Sequence, residues 1–402
     1  MAFLDGLRGI AAMQVVLLHY TSAFLPVMAM AGTVPWYPAA MPGWPAAVAR
    51  SPLIFLINGY SAVYIFFLMS GYVLRGGFAR VDRFAIGIGR RLIRLGLPTA
   101  AAVMLAGALL ALDQSAHRTA GMLSGSTQWL AVLMAQTPHL GEVLREAWLN
   151  SVVTGYRETT ALPPLRHVFA LPSVLGAFDT PTWTLNVELA GSLLCLGLSF
   201  IERRSKKLLL VATLALAAVY GADQLFLFVI GYLLAGLPPR TPGRLAYERV
   251  AQGAAVCALV TGILLCRLTA PAPVLWLRIV LHFQHPPDPF HFTNQIGAVL
   301  IFLGVLNLPA IQRSLTTRVP HFLGRISFPL YLLHFPIMAT LGCSVFIAVQ
   351  PALGNVVGGG VALAVGLAVT LPAAWVFERW VDRTAVRLSH GTPVLAAAPA
   401  TP

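Results

Sequence analysis

Charged residues are scarce in this chain. Only 10% of its 402 residues are Asp, Glu, Lys or Arg, whereas 57% are hydrophobic and the mean hydropathy is +0.77. A soluble domain of this length cannot bury so much apolar surface. The composition therefore excludes a soluble protein and predicts a polytopic membrane protein whose principal partner is a lipid bilayer.

The sequence also lacks the patterns of several common site types. Its four cysteines lie in or at the ends of apolar runs without paired spacing, which is typical of small core residues rather than disulfides, metal ligands or acyl carriers. No metal-ligand motif, phosphate-binding glycine loop or nucleotide fingerprint is present, so we expect no metal. The sequence has no internal repeat, which argues against an inverted-repeat transporter.

Apolar runs long enough, or nearly long enough, to cross a bilayer divide the chain. They lie around residues 10–30, 53–74, 97–112, 181–201, 208–222, 224–237, 250–266, 294–309, 326–349 and 354–377. We therefore predict an all-α integral membrane protein with about ten transmembrane helices. An even number of spans places both termini on one side of the membrane.

The basic residues orient these spans. The formal net charge of +13 would suggest nucleic acid in a soluble chain, but in a membrane protein it indicates the positive-inside rule. All but seven of the 27 Lys and Arg residues fall in segments that share a side with the termini. The seven exceptions are Arg50, Arg118, Arg145, Arg157, Arg166, Arg267 and Arg278. Both termini are thus predicted to be cytoplasmic, and nucleic acid is not an expected partner.

The predicted organisation is one transmembrane domain over residues 1–388 and a disordered tail over 389–402. Two segments on the outer side, about 113–180 and 267–293, are too long to be plain connectors. Long loops of this kind are usually lids, binding surfaces or disordered segments. Their tryptophans, which suit either sugar stacking or anchoring at the membrane interface, are Trp129, Trp148 and Trp276.

Arg8 and His19 stand out within the first apolar run, LDGLRGIAAMQVVLLHY. Eleven residues of α-helix span about three turns and roughly 16 Å, and they return the two side chains to nearly the same face. An ionisable group near the middle of a bilayer is costly unless it faces a protein interior or a wet cavity. His19 is therefore a candidate functional residue that can handle protons, and Arg8 is a basic residue at the membrane surface that faces the same way.

A second candidate anion site follows the next run. FFLMSGYVL places Ser70 near the inner end of that run, and GRRLIRLGLP then carries Arg90, Arg91 and Arg94. Guanidinium groups suit phosphates because they donate forked hydrogen bonds. The alternative is that these arginines serve topology and snorkel to the membrane surface.

Further polar and aromatic residues stand out inside the predicted spans. PTWTLNVEL carries Trp183 and Glu188, and YLLH carries Tyr331 and His334. A carboxylate within a span usually faces a site or a pore, whereas His334 serves either a site or a structural hydrogen bond. We read the adjacent Glu378 and Arg379, near the end of the last span, as an interfacial ion pair.

These motifs occur in the order expected for the membrane-bound acyltransferase-3 family, which the chain resembles over residues 3–388. The most specific element is the Arg8–His19 spacing, followed by WTLNVEL and YLLH. The resemblance implies an O-acyltransferase of the stand-alone type in a bacterial cytoplasmic (inner) membrane. Its donor would be a cytoplasmic acyl-CoA, most commonly acetyl-CoA, and its acceptor a hydroxyl of an extracytoplasmic or membrane-associated carbohydrate.

Site roles follow from the same resemblance. His19 and Glu188 would be catalytic, while Arg8, Arg90, Arg91 and Arg94 would hold the phosphates of CoA. Ser70, Trp183, Tyr331 and His334 would contact substrate or support the site. Two alternatives stay open at this point: a proton-coupled transporter or flippase, and transfer to a small molecule such as a macrolide or lipid. The sequence leaves the oligomeric state open.

Overall fold

The protein is helical throughout the part that its computed structural model describes. That part comprises residues 2–30, 47–48, 51–113, 115–221, 223–237, 245–266 and 288–391, and it contains no β-strand. The all-α prediction is therefore confirmed for these residues.

Twelve helices are labelled here in chain order. They are α1 (Ala2–Phe24), α2 (Gly59–Phe78), α3 (Phe84–Leu112), α4 (Ala116–Ser124), α5 (Trp183–Arg204), α6 (Lys206–Tyr220), α7 (Leu225–Leu234), α8 (Leu245–Leu265), α9 (Pro289–Asn307), α10 (Ser327–Ile337), α11 (Cys343–Phe377) and α12 (Arg383–Gly391).

Shorter helical segments connect them. The α-helical ones are Pro26–Met30, Leu140–Arg145, Leu165–Val168, Pro309–Leu315 and Arg318–Arg325. The 3₁₀ turns are Pro52–Ile57, Leu130–Val132, Val174–Gly176 and Thr180–Thr182, and the π-helical turns are Glu146–Thr154, Met338–Gly342 and Glu378–Asp382. π-helical turns occur often at functional sites.

A helix coincides with each of the ten predicted apolar runs. Within the described residues, six helical stretches are long and apolar enough to cross a membrane. They are Ala2–Phe24, Gly59–Phe78, Phe84–Leu112, Thr180–Arg204, Pro289–Asn307 and Ser327–His390. The protein is thus a multi-pass membrane protein, while the count of ten spans and the cytoplasmic termini stay predictions.

The last of these stretches reverses direction at Gly354. This glycine has φ +69°, a left-handed conformation that favours glycine. A Cβ placed on Gly358 would lie 3.4 Å from Cα of Gln350, a proximity that a straight helix does not allow over eight residues. The stretch is therefore a helical hairpin, in keeping with the two apolar runs predicted there.

Helix α3 begins thirteen residues before the predicted run at 97–112. The prediction placed Arg90, Arg91 and Arg94 in a cytoplasmic connection, but all three lie within α3. Their charge lowers the local hydropathy, so the apolar run in the sequence begins later than the helix does. As a consequence, the three guanidinium groups are carried on a rigid element.

Close backbone contact brings α1 against the helix Arg318–Arg325. A Cβ on Gly9 would collide with the backbone between Leu323 and Gly324, so only glycine permits this approach. Small residues at helix contacts are the usual means of close packing in membranes. The contact places Arg8 and Arg325, which flank the two glycines, at the same end of the bundle.

The predicted outer segment 113–180 is folded against the bundle. Its π-helical turn packs on α3 and α5, and α4 packs on α1 and α11. Most of the second segment, 267–293, including Trp276, lies outside the described residues. The tail predicted to be disordered from 389 begins with helix, because α12 continues to Gly391; residues 392–402 also lie outside the described residues.

Candidate functional site

Two histidines from opposite ends of the sequence meet inside the bundle. Nδ1 of His19, on α1, lies 2.7 Å from Nε2 of His334, on α10. Their rings are nearly parallel, with an interplanar angle of 9° and centroids 5.0 Å apart. His334 is fully buried, whereas His19 retains partial exposure. The sequence identified both residues separately but gave no sign that they touch.

A backbone carbonyl fixes the tautomers of this pair. Nδ1 of His334 lies 3.0 Å from the carbonyl oxygen of Leu330, one helical turn earlier, and a carbonyl only accepts hydrogen bonds. His334 therefore carries its proton on Nδ1, and its Nε2 accepts the Nδ1–H of His19. The remaining nitrogen of His19, Nε2, then keeps a free lone pair.

Aromatic rings enclose the histidine pair. Trp129 stacks on His19 with ring centroids 5.9 Å apart and an interplanar angle of 18°. Phe335 meets the His19 ring edge-on at 5.1 Å. Trp129 comes from the outer segment, so this segment supplies one wall of the site. An apolar wall limits water around His19 and holds its ring in place.

A cavity of about 250 Å³ lies between α1, α2, α3, α5 and α10. Basic and acidic side chains line it together with hydroxyl and aromatic groups. The charged lining residues are Arg8, Arg91, Arg94, Arg325, Glu188 and Asp382. Four guanidinium groups against two carboxylates leave a lining that is positive by two charges, which favours an anionic ligand.

Two of the arginines are paired across the cavity wall. Arg91 donates to Glu188 at 2.7 Å, and Arg94 forms an ion pair with Asp382. Arg8 has a looser partner, Asp5 at 3.9 Å, whose side chain is 55% exposed. Such an exposed pair contributes little, so the guanidinium of Arg8 is available to a ligand.

Tyr331 joins the cavity to the histidine pair. It lines the cavity, and its ring centroid lies 6.0 Å from that of His334, one helical turn away. Its hydroxyl donates to the carbonyl oxygen of Pro181 at 2.6 Å and lies 2.7 Å from the hydroxyl of Thr184. Neither histidine lines the cavity in the described structure, whereas Tyr331 both lines it and contacts the ring of His334.

The other predicted site residues divide into two groups. Ser70 lines the cavity, as do Arg91 and Arg94, whereas Arg90 is half-buried and does not. Trp183 is partly buried against a large apolar core cluster and does not line the cavity. Glu188 contacts Arg91, and its predicted catalytic role stays a prediction.

The sequence interpretation missed the acidic residues at the chain's end. Glu378 pairs with Arg325 at 3.3 Å and with Arg383 at 2.7 Å, so the expected Glu378–Arg379 ion pair is wrong. Neighbouring residues on a helix point in different directions, whereas residues three or four apart share a face. Within FERWVDR, Asp382 binds Arg94, and Arg379 packs over Trp375.

Sequence comparison with known proteins finds three acyltransferases. The chain is 27% identical over 388 residues to the O-acetyltransferase PaAT-1 of Phomopsis amygdali, covering 85% of this chain and 73% of that protein. It is 24% identical over 452 residues to the acyltransferase R4 of Phoma sp. (strain ATCC 20986 / MF5453), covering 96% and 94%. It is 23% identical over 446 residues to the acyltransferase clz18 of Cochliobolus lunatus, covering 95% and 93%.

No solved structure matches the chain. The model of the acyltransferase domain family matches residues 1–379, which is nearly the whole sequence and includes both histidines. The relatives named above are acyltransferases of fungi. This protein belongs to the acyltransferase-3 family and is an acyltransferase.

Proposed function

We propose that the protein transfers an acyl group, acetyl in the simplest case, from a cytoplasmic acyl-CoA to the hydroxyl of a membrane-associated or extracytoplasmic carbohydrate. The observation that carries this proposal is the His19–His334 pair, separated by Tyr331 from a cavity lined with arginines. The pair supplies a base, and the cavity supplies a site for an anionic donor.

The cavity suits the donor by charge and by size. Its arginines match the phosphates of CoA, because guanidinium forks bind phosphate oxygens well. A cavity of 250 Å³ is smaller than the roughly 300–1,000 Å³ that hold whole drug-sized ligands. It therefore fits the acyl-pantetheine arm and the phosphates next to it, while the adenosine would lie outside it. His19, about 16 Å along α1 from Arg8, is within reach of that arm.

The free Nε2 of His19 is the group that would act on the substrates. In direct transfer it takes the proton of the acceptor hydroxyl while that oxygen attacks the thioester carbonyl carbon. The C–S bond breaks, the CoA thiolate leaves, and the imidazolium returns the proton to sulfur. The products are an ester and CoA. His334 accepts the Nδ1–H of His19 throughout and so stabilises the imidazolium.

A covalent route uses the same lone pair. Nε2 attacks the thioester carbonyl carbon, the C–S bond breaks, and the CoA thiolate leaves an N-acylimidazolium on His19. The acceptor hydroxyl then attacks the acyl carbon, the bond to Nε2 breaks, and the hydroxyl proton passes to the CoA sulfur. Both routes need the same tautomer, so the histidine pair supports either.

Trp129 supports a carbohydrate acceptor. Its ring stands over His19 and belongs to the outer segment, where an acceptor on the far side of the membrane would enter. Indole rings stack well on sugar rings, although a small hydrophobic acceptor would find the same wall. The bacterial inner membrane is retained as part of this proposal, while the named relatives come from fungi.

The test is thiol release from acetyl-CoA by the detergent-purified protein, with and without a pool of bacterial glycans. We expect glycan-stimulated release by wild type and none by His19→Ala. The matched control is His321→Ala, which changes an exposed histidine of the helix Arg318–Arg325 and should leave release unchanged. Absence of release from folded wild type with any acyl-CoA or acceptor would favour the transporter alternative.

A further inference from the structure

Two carboxyl groups are buried outside the cavity, in the outer segment. Glu146 begins the π-helical turn Glu146–Thr154 and is 3% exposed, and Asp179 precedes the 3₁₀ turn Thr180–Thr182 and is 0% exposed. Acidic side chains are almost never buried this fully without a basic partner. None of the ion pairs in the described residues includes either of them.

Glu146 is bonded to the backbone that leads into α5. Its carboxylate accepts the backbone N–H of Phe178 at 2.9 Å and that of Asp179 at 3.2 Å, and the hydroxyl of Tyr156 also donates to it. The side chain of Glu146 thus fixes the start of the turn at residues 178–182 by hydrogen bonds.

Asp179 is buried without a partner for either carboxyl oxygen in the described structure. A buried polar group without a partner is destabilising and calls for an explanation. Burial and the nearby charge of Glu146 both raise the pKa of Asp179 well above its ordinary value. Two interacting buried carboxylates cannot both ionise easily, so both effects favour the protonated form of Asp179.

The environment of the pair offers no compensating positive charge. Burial raises the pKa of Glu146 to about 7, against the lowering effect of its hydrogen bonds. Tyr156 interacts with both carboxyl groups, and Tyr331 on α10 interacts with Asp179. No arginine or lysine of the described part is among the groups that shift the pKa of either acid.

The turn that Glu146 holds is the same turn that anchors Tyr331. The carbonyl of Asp179 accepts the hydroxyl of Thr182 at 2.6 Å, and the next carbonyl but one, from Pro181, accepts the hydroxyl of Tyr331. Hydrogen bonds at both ends of this short turn, together with its own backbone, therefore link Glu146 to the tyrosine that lines the cavity.

We propose that Glu146 and Asp179 are positioning residues that act through Tyr331, and that they work as a carboxyl pair that holds at least one proton at neutral pH. Glu146 fixes the turn through its two backbone bonds, while protonated Asp179 avoids a second buried charge beside it. The relevance of Tyr331 to acyl transfer rests on the proposed function, but the pair itself is tested without any activity assay.

Infrared spectra of the purified full-length protein in water and deuterium oxide test the proton. At pH 8 we expect the carbonyl band of a protonated carboxylic acid, which disappears in Asp179→Asn. A second such band should titrate near pH 7 and be absent in Glu146→Gln. The matched control is Glu142→Gln, one helical turn earlier but exposed, which should remove neither band. No protonated carboxyl band at pH 8 in wild type overturns the proposal.

A double-mutant cycle tests the positioning role. Glu146→Gln and Tyr331→Phe are combined, and the thermal unfolding midpoint of each variant is measured. Because both changes act on one turn, we expect the double variant to lose clearly less than the sum of the single losses. Glu142→Gln combined with Tyr331→Phe should be additive. Additivity in both cycles rejects the link to Tyr331, and if Glu146→Gln does not fold, Asp179→Asn replaces it.

Discussion

His334 accepts the Nδ1–H of His19 at 2.7 Å while its own Nδ1–H donates to the carbonyl of Leu330. The backbone carbonyl sets the position of the proton on His334, and His334 in turn sets the position of the proton on His19. The tautomers of both imidazoles therefore follow from the fold. A base whose tautomer is fixed needs no rearrangement before it takes a proton, which is the usual benefit of an orienting partner beside a catalytic histidine.

The first prediction concerns His334. His334→Phe keeps a ring of similar size but removes the acceptor for His19, so both the tautomer and the imidazolium lose their support. We expect acyl transfer to fall by about 10²–10⁴-fold, the usual contribution of a positioned base, with donor affinity unchanged. His334→Gln, whose amide oxygen can accept the same hydrogen bond, should recover part of the loss. Initial rates and donor binding measured on all three proteins decide this, and full activity of His334→Phe makes His334 structural.

The second prediction compares neighbouring arginines. Arg91 lines the cavity and Arg90 does not, although the sequence predicted phosphate binding for both. Arg91→Gln should weaken CoA binding by about tenfold or more, as expected for a lost charge-assisted contact of 1.5–3 kcal/mol. Arg90→Gln should weaken it clearly less. Calorimetric titration with CoA measures both, and equal losses would contradict the assignment of the cavity as the donor site.

The third prediction separates two roles for Glu188. If this carboxylate serves only to neutralise Arg91, Glu188→Gln raises the positive charge of the cavity, and CoA should bind as tightly as before or several-fold tighter. The transfer rate at saturating donor should then stay within a few-fold of wild type. If Glu188 is catalytic, as the sequence suggested, the rate falls while the affinity for CoA holds. Rates and affinities from one preparation distinguish these outcomes, provided that circular dichroism shows an intact fold.

The fourth prediction concerns stability and pH. Glu146 has a pKa raised from 4.5 to about 7 in the folded protein, so folding favours its protonated form. The contribution of this shift to the free energy of unfolding is on the order of 3 kcal/mol at most. It is complete below about pH 4.5 and is lost as the pH rises to about 7. The unfolding midpoint of wild type should therefore fall relative to that of Glu146→Gln across this window.

A matched comparison isolates this effect. Burial is the main cause that lowers the pKa of His117 from 6.5. The contribution of His117 to the stability of the protein is therefore lost as the pH falls below about 6.5, which is opposite to the pH dependence of Glu146. Both proteins contain His117, so the difference between them removes its effect. Glu142→Gln should track wild type at every pH. A constant difference between wild type and Glu146→Gln would show that Glu146 does not titrate in this range.

The sequence predicted the helical membrane class and singled out both histidines, because each inference depends only on residues that are close together in the chain. Mean hydropathy reports spans directly, and an ionisable residue inside a span is rare enough to stand out. The spacing of Arg8 and His19 also fixed their shared face on α1. None of these inferences needed a contact between distant segments.

The remaining features depend on contacts that no spacing encodes. The meeting of His19 with His334 joins α1 to α10, and the pairing of Arg94 with Asp382 joins α3 to a turn near the chain's end. Glu146 and Asp179 gave no signal either, since acidic residues in a long connecting segment are usually exposed. Burial of both side chains follows only from the packing of the outer segment on the bundle.

The most direct test uses proteoliposomes with radiolabelled acetyl-CoA on the side of Arg8 and glycan acceptors on the opposite side. The account predicts labelled acceptor with wild type, stoichiometric release of CoA on the donor side, and neither with His19→Ala or His334→Phe. Movement of unmodified acceptor across the bilayer, without label transfer or release of CoA, would contradict acyl transfer at the histidine pair and establish a transporter.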